Sequence, residues 1–115
     1  MAEEPSVYLS QDAIIASEKL TNYLLIPLPK DDKSKFLANA GYTLDNWKQL
    51  EHDLRTQVLT KPARFLGNSR YGRKYEIRAC LKGRNGNPVD VLTIWMIANG
   101  TARFVTLVPD KGGNS

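Results

Sequence analysis

The chain reads as an α+β fold, with N-terminal helices packed on a three- to four-stranded antiparallel β-sheet arranged as a meander. Three observations predict this. Between Tyr71 and Val108, three extended runs are joined by two short turns, Gly83-Arg84-Asn85-Gly86-Asn87 and Asn99-Gly100, and Asn-Gly supplies the positive backbone angles that tight hairpins need. Helical signals lie in the part of the chain before Pro62. The best of those helices carries an apolar stripe, Trp47, Leu50, Leu54 and Val58, at spacings of 3, 4 and 4, which requires an apolar surface to cover.

In chain order, residues 1–12 carry no periodic pattern and read as a flexible arm, although Val7-Tyr8-Leu9 could add to a sheet edge. Residues 13–109 form a single domain and 110–115 a flexible tail. Ala13 to Ala16 is a short apolar run of strand character. Ser17 then caps a helix from Glu18 to Ile26 with Leu20, Tyr23, Leu24 and Ile26 inward, closed by Pro27 and Pro29. After the polar turn Lys30-Asp31-Asp32, Asp32 caps a short helix over Lys33 to Ala40. Its apolar side is Phe36, Leu37 and Ala40, and Gly41 stands where a helix end needs a left-handed residue. Thr43 caps the helix Asp45 to Leu59, and Asp45 and Arg55 suit the two ends of its dipole. From Lys61 to Gly72 the chain reads as a basic loop with Phe65-Leu66 tucked inward.

Alternation assigns the sheet faces. With Asn99-Gly100 as a two-residue loop, Trp95 faces Phe104 and Ala98 faces Thr101. One side then holds Trp95, Phe104, Thr93, Thr106, Val91 and Val108, joined across the first turn by Tyr75, Ile77, Ala79 and Leu81. The other side holds Leu92, Ile94, Met96, Val105 and Leu107 beside Lys74, Glu76, Arg78, Lys82 and Arg103. That second face is apolar in its middle strand and cationic along its neighbours.

A chain of 115 residues, 42% hydrophobic and 24% charged, suits one compact domain with a single core. No apolar stretch approaches the roughly 20 residues of a membrane span, and no signal-peptide pattern is present. Cys80 is the single cysteine; it excludes internal disulfides, reads as a buried small hydrophobe and fits a reducing, cytoplasmic setting. The net charge of +4 conceals an asymmetry. Lys61 to Arg84 carries eight basic residues (Lys61, Arg64, Arg70, Arg73, Lys74, Arg78, Lys82, Arg84) against Glu76 alone, whereas residues 1–60 carry six basic and nine acidic ones. Such a block, with Tyr71 and Tyr75 inside it, is the footprint expected for a polyanion such as RNA; its bland counterpart is a solvated strand face guarded against edge aggregation.

Several chemistries are set aside. One His and one Cys, without paired-carboxylate spacing, leave no metal site, and no Gly-x-Ser-x-Gly elbow is present. The Gly83 turn follows a strand without opening a helix, so no dinucleotide or phosphate loop is expected and no cofactor is implied. His52 falls opposite the Trp47 stripe, on the helix surface. Metal-independent ribonuclease chemistry stays open, because it needs a base, an acid and cations for the charge on the phosphorane. Arg78 is the choice for that cation, with Glu76 and Tyr71 for proton transfer; Lys61, Arg64, Arg70, Arg73, Lys74, Lys82, Arg84 and Arg103 are the phosphate-binding candidates.

Lys19-Leu20-Thr21-Asn22-Tyr23-Leu24-Leu25, Lys33-Ser34-Lys35-Phe36-Leu37, Gly41-Tyr42-Thr43, Tyr71-Gly72-Arg73-Lys74-Tyr75-Glu76-Ile77, Gly83-Arg84-Asn85-Gly86, Thr93-Ile94-Trp95 and Val105-Thr106 resemble a bacterial domain family of unknown function, frequent in cyanobacteria. The resemblance covers about Ala13 to Pro109. The Gly-x-x-Tyr-Glu, turn, Thr-x-Trp arrangement is also similar to toxin domains of the barnase, colicin and RelE-like group, which cleave RNA without metal. That likeness implies a cleft lined by Tyr71, Arg73, Lys74, Glu76, Arg78, Thr93, Trp95 and Thr106, and an antitoxin or immunity protein as partner. His52 lies outside the matched motifs, unlike in members that use a catalytic histidine. The expected function is thus an RNA-directed toxin-like domain, with a non-catalytic module that binds an acidic protein as the alternative.

Overall fold

The Asn99-Gly100 turn forms as its sequence dictates. Asn99 (φ 53°) and Gly100 (φ 78°) are both left-handed, as a two-residue hairpin turn requires, and they bring Ala98 opposite Thr101 and Trp95 opposite Phe104. The computed structural model describes residues 7–30, 32–84 and 86–110. Residues 1–6 of the expected arm, 111–115 of the expected tail, and Asp31 and Asn85 of the two expected turns lie outside them.

Four strands, β1 (Arg64–Ser69), β2 (Gly72–Leu81), β3 (Val89–Ala98) and β4 (Thr101–Pro109), form one antiparallel sheet in the order β1-β2-β3-β4. The β2–β3 register matches the alternation, with Tyr75, Ile77 and Ala79 opposite Trp95, Thr93 and Val91. Two features depart from it. The stretch expected as a basic loop is strand β1, and Phe65 and Leu66 are exposed on it rather than tucked inward. A bulge at Val105 also shifts β4, so Leu107 faces Thr93 while Thr106 and Val108 lie opposite Ile94 and Leu92. Phe104 and Leu107 have opposite parity in a regular strand; one extra residue lets both enter the core.

The helices precede the sheet. α1 spans 17–24, an α-turn (Ser17–Lys19) running into π-turns (Leu20–Leu24). Ala16 is its cap, and Ser17 is the first helical residue. Leu25 N–H reaches Leu20 O at 3.0 Å; this wider winding buries Leu20, Leu24 and Leu25, leaving Ile26 half-buried. α2 (Ser34–Asn39) is entered through Asp32, whose Oδ1 accepts from the Ser34 hydroxyl and amide. Those bonds hold the Asp32 carboxyl below its ordinary range. At its end Gly41 (φ 96°) turns the chain, and Tyr42 N–H returns to Leu37 O at 2.9 Å. α3 spans 44–58, from a 3₁₀ turn through Trp47–Asp53 to π-turns at Leu54–Val58. Leu50, Leu54, Val58 and Leu59 are buried, and Trp47 is half-buried against the core.

The helices cover the sheet face that carries Ile77, Leu81, Val91, Trp95 and Leu107, all fully buried. Two ties fix the layers. Gln57 exchanges hydrogen bonds with the Lys82 backbone at 2.9 and 3.1 Å, and Ile14 inserts beside β4 through bonds to Ala102 O and from Phe104 N–H, both 2.8 Å. The segment before it is placed too: Val7 pairs with Ala63, Leu9 is buried, and Arg55 donates to Gln11 O and Ala13 O. The β2–β3 loop lies on the end of α2, where Gly83 N–H meets Ala40 O at 2.7 Å and a Cβ on Gly86 would stand 2.1 Å from the Ala40 carbonyl.

Tyr42 is fully buried. Its hydroxyl donates to Asp53 Oδ2 at 2.6 Å, and Gln49 donates to Asp53 Oδ1 at 2.8 Å. Burial first, then the bond to Asp53, pushes the Tyr42 phenol far above its ordinary 10.0. The folded state therefore holds this proton more tightly than the unfolded chain, a contribution complete below about pH 10 and lost as the pH rises past it. In urea titrations the wild type should lose stability relative to Tyr42→Phe above about pH 10; parallel profiles would contradict this. Gly86→Ala should cost about 2–4 kcal/mol by steric collision with the backbone of α2, read as a lowered urea midpoint, and an unchanged midpoint would show that the loop does not rest there.

Candidate nucleic-acid interface

Alternation along β2 and β3 places Lys74, Glu76, Arg78 and Cys80, with Leu92, Ile94 and Met96, on the face away from the helices. Leu92, Ile94 and Met96 are half-buried, and Cys80 is exposed, not the buried hydrophobe its residue type suggests. Arg64 on β1 and Arg103 on β4 join this face opposite Glu76 and Met96. The surface is apolar along its centre and charged at its flanks.

Glu76 is the centre of the charged part. Its side chain is 9% exposed, with Arg64 Nη1 at 3.5 Å and Arg78 Nε at 3.9 Å from Oε2. The two arginine side chains are 74% and 53% exposed. Arg78 Nη1 also lies 3.0 Å from both oxygens of Asp110. Pro62, Arg64, Glu76 and Arg78 line a groove of about 310 Å³. Asp110 was missed in the sequence. Only the Val105 bulge, which pairs Val91 with Pro109, sets it beside Asp90, where its N–H reaches Asp90 O at 2.9 Å.

The structure gathers Arg64, Glu76 and Arg78 but separates the rest. Tyr71 is in the β1–β2 turn, about 16 Å along the strand from Glu76 at roughly 3.3 Å per residue. Arg70 and Arg73 stand at that end, whereas Lys82 and Arg84 stand at the other end of β2, about 30 Å away. Lys61 precedes β1, and Lys74 and Arg103 lie between the ends on the open face. The basic block of the sequence is therefore spread along a hairpin instead of gathered in one patch. Thr93 and Trp95, expected to line a cleft, are fully buried on the helix side: Trp95 Nε1 donates to Thr93 Oγ1 at 2.7 Å, and Thr93 Oγ1 donates to Ile77 O at 3.0 Å. Thr106 lines a separate groove beside Lys19 and Tyr23, where its buried Oγ1 has no hydrogen-bond partner among the described residues. His52 is exposed on α3. Among the described residues, no three His, Cys, Asp or Glu side chains are grouped to hold a metal, and no helix is long and apolar enough to cross a membrane.

The fold and this face define a two-layer α+β domain with an open, partly basic antiparallel sheet. Residues 9–111 match the model of a domain of unknown function, DUF6883, and the chain belongs to that family. No curated protein and no solved structure matches it.

Because the Arg78 pair with Asp110 is half-exposed, Arg78→Ala should change stability by less than about 1 kcal/mol. Calorimetry on Arg64→Ala and Arg78→Ala should find melting temperatures within a few degrees of wild type. A collapse of either variant would make the cluster a structural element.

Proposed function

We propose that the chain is an RNA-directed module, and that Arg64, Glu76 and Arg78 form its phosphodiester site. The observation that carries this is the Glu76 carboxylate held between the guanidinium forks of Arg64 and Arg78 on the sheet face away from the helices, with Arg64 largely exposed and Arg78 shared with Asp110, whose place a phosphate would take. Such forks match the oxygens of a phosphate, and the carboxylate beside them is placed to take a proton from a ribose 2′-hydroxyl as that oxygen attacks phosphorus. Arg64 and Arg78 then hold the charge of the phosphorane. Tyr71 is too far along the strand to serve as the acid, so the leaving 5′-oxygen takes its proton from water. The likeness of the Tyr71 to Ile77 motif, which contains Glu76, to metal-independent bacterial ribonuclease toxins supports the same assignment. It brings with it a cytoplasmic setting and a small antitoxin or immunity protein seated over the face.

A second function fits one further observation. The half-buried row Leu92, Ile94 and Met96, between Lys74 and Arg103, suits a non-catalytic module that binds an acidic protein with an apolar ridge. One experiment separates the two. Total RNA is incubated with wild type, Arg64→Ala, Glu76→Gln and Arg78→Ala in excess chelator. Cleavage by wild type, slowed by about two to three orders of magnitude in each variant, is the expected result. Absence of both cleavage and RNA binding in the wild type would leave the protein-binding module in possession of the face.

A further inference from the structure

Tyr71 is 68% exposed, and the phosphodiester site does not use it. Its position is nevertheless built. Ser69 Oγ accepts the Tyr71 N–H at 3.1 Å and donates to Gly72 O at 3.1 Å. Gly72 (φ 135°) presses on β3 so closely that a Cβ there would stand 2.4 Å from Ile97 O. The turn is thus braced against the end of the β3–β4 hairpin by backbone, and the tyrosine ring contributes nothing to that brace.

The chemistry around the ring is that of a nucleotide site. The Arg70 guanidinium carbon is 5.7 Å from the Tyr71 ring centroid, a cation–π pair on one face. Beside it a groove of about 440 Å³ is lined by Asn68, Tyr71, Arg73, Ile97 and Asn99 among others. Arg70 and Arg73 form no ion pair among the described residues. Lys74 lies on the open face between this end and Glu76. An exposed aromatic ring on a braced turn, flanked by unpaired cations and amide side chains, is the arrangement that stacks a base and holds its phosphates.

We infer that Tyr71, with Arg70 and Arg73, is a base-stacking subsite for single-stranded RNA, separate from the Arg64, Glu76 and Arg78 site. The inference rests on the RNA-directed function and deepens it: the substrate is a flexible strand with an unpaired base at the sheet end, because a base kept in a duplex offers no free face to a protruding ring. Tyr71 changes role accordingly, from proton transfer to stacking.

The test is the affinity of 2′-O-methyl hexa-adenylate, which cannot be cleaved, and of a phosphodiester strand of equal length without bases, for wild type, Tyr71→Ala and Tyr71→Phe. Tyr71→Ala should weaken binding of the adenylate about tenfold or more, Tyr71→Phe should stay within about twofold of wild type, and all three proteins should bind the baseless strand alike and more weakly. The exposed position of Tyr71 leaves the fold intact in both variants, verified by equal melting temperatures. Equal adenylate binding by wild type and Tyr71→Ala would overturn the stacking subsite and leave the phosphodiester site standing, as would equal binding of the two strands by wild type. Failure of wild type to bind either strand would overturn both.

Discussion

The hydrogen-bond chain from Trp95 Nε1 through Thr93 Oγ1 to Ile77 O is the constraint on which the rest of the structure depends. A buried indole N–H without a partner costs about 1–3 kcal/mol. In this sheet the partner is the hydroxyl two residues back on the same face of β3, itself tied across to β2. Trp95 also meets Phe104 edge to face, centroids 5.2 Å apart, a contact worth about 0.5–1.5 kcal/mol beyond burial. Large rings, a satisfied polar pair and two strand crossings thus agree on which side of the sheet faces the helices. Once that side is chosen, Glu76, Arg78 and Met96, of opposite parity, must face away.

The helix layer adapts to this core through its irregular turns. π-Winding over Leu20–Leu24 and Leu54–Val58 ends each helix with two adjacent apolar residues inward, Leu24 with Leu25 and Val58 with Leu59. The Ala40–Gly41 end of α2 packs on Gly83 and Gly86 at distances no side chain would permit. The β2–β3 loop is therefore an element of the helix–sheet interface, and its glycines serve close approach more than the turn itself.

Electrostatics separates into three places. The sheet centre pairs its charges, with Glu76 between two arginines and Asp110 on Arg78. The turn at Arg70 and Tyr71 leaves its cations unpaired among the described residues, and the loop with Lys82 and Arg84 lies at the far end of β2. At the centre each carboxylate is met by an arginine, so little net field remains there, whereas the uncompensated ends carry net positive charge whose field reaches further into solvent. Proximity in sequence measured neither property.

What the sequence determined by itself was set by neighbours along the chain. The register of Tyr75 opposite Trp95 and of Ala98 opposite Thr101 follows from turn composition and alternation. The Leu50, Leu54 and Val58 stripe follows from helical period. The amphipathic far face, with Glu76 and Arg78 side by side on it, was legible for the same reason. What only the tertiary structure decided depends on competition for one core. Phe104 and Leu107 both win places in it, which inserts the bulge at Val105, turns Thr106 and Val108 over, and delivers Asp110 to Arg78. Thr93 and Trp95 go inward because the helices cover their face, and Cys80 goes outward because its parity is opposite. β1, read as a loop, becomes a strand because β2 offers it an unpaired edge, a partner defined by the folded sheet and not by the local composition of Arg64 to Ser69.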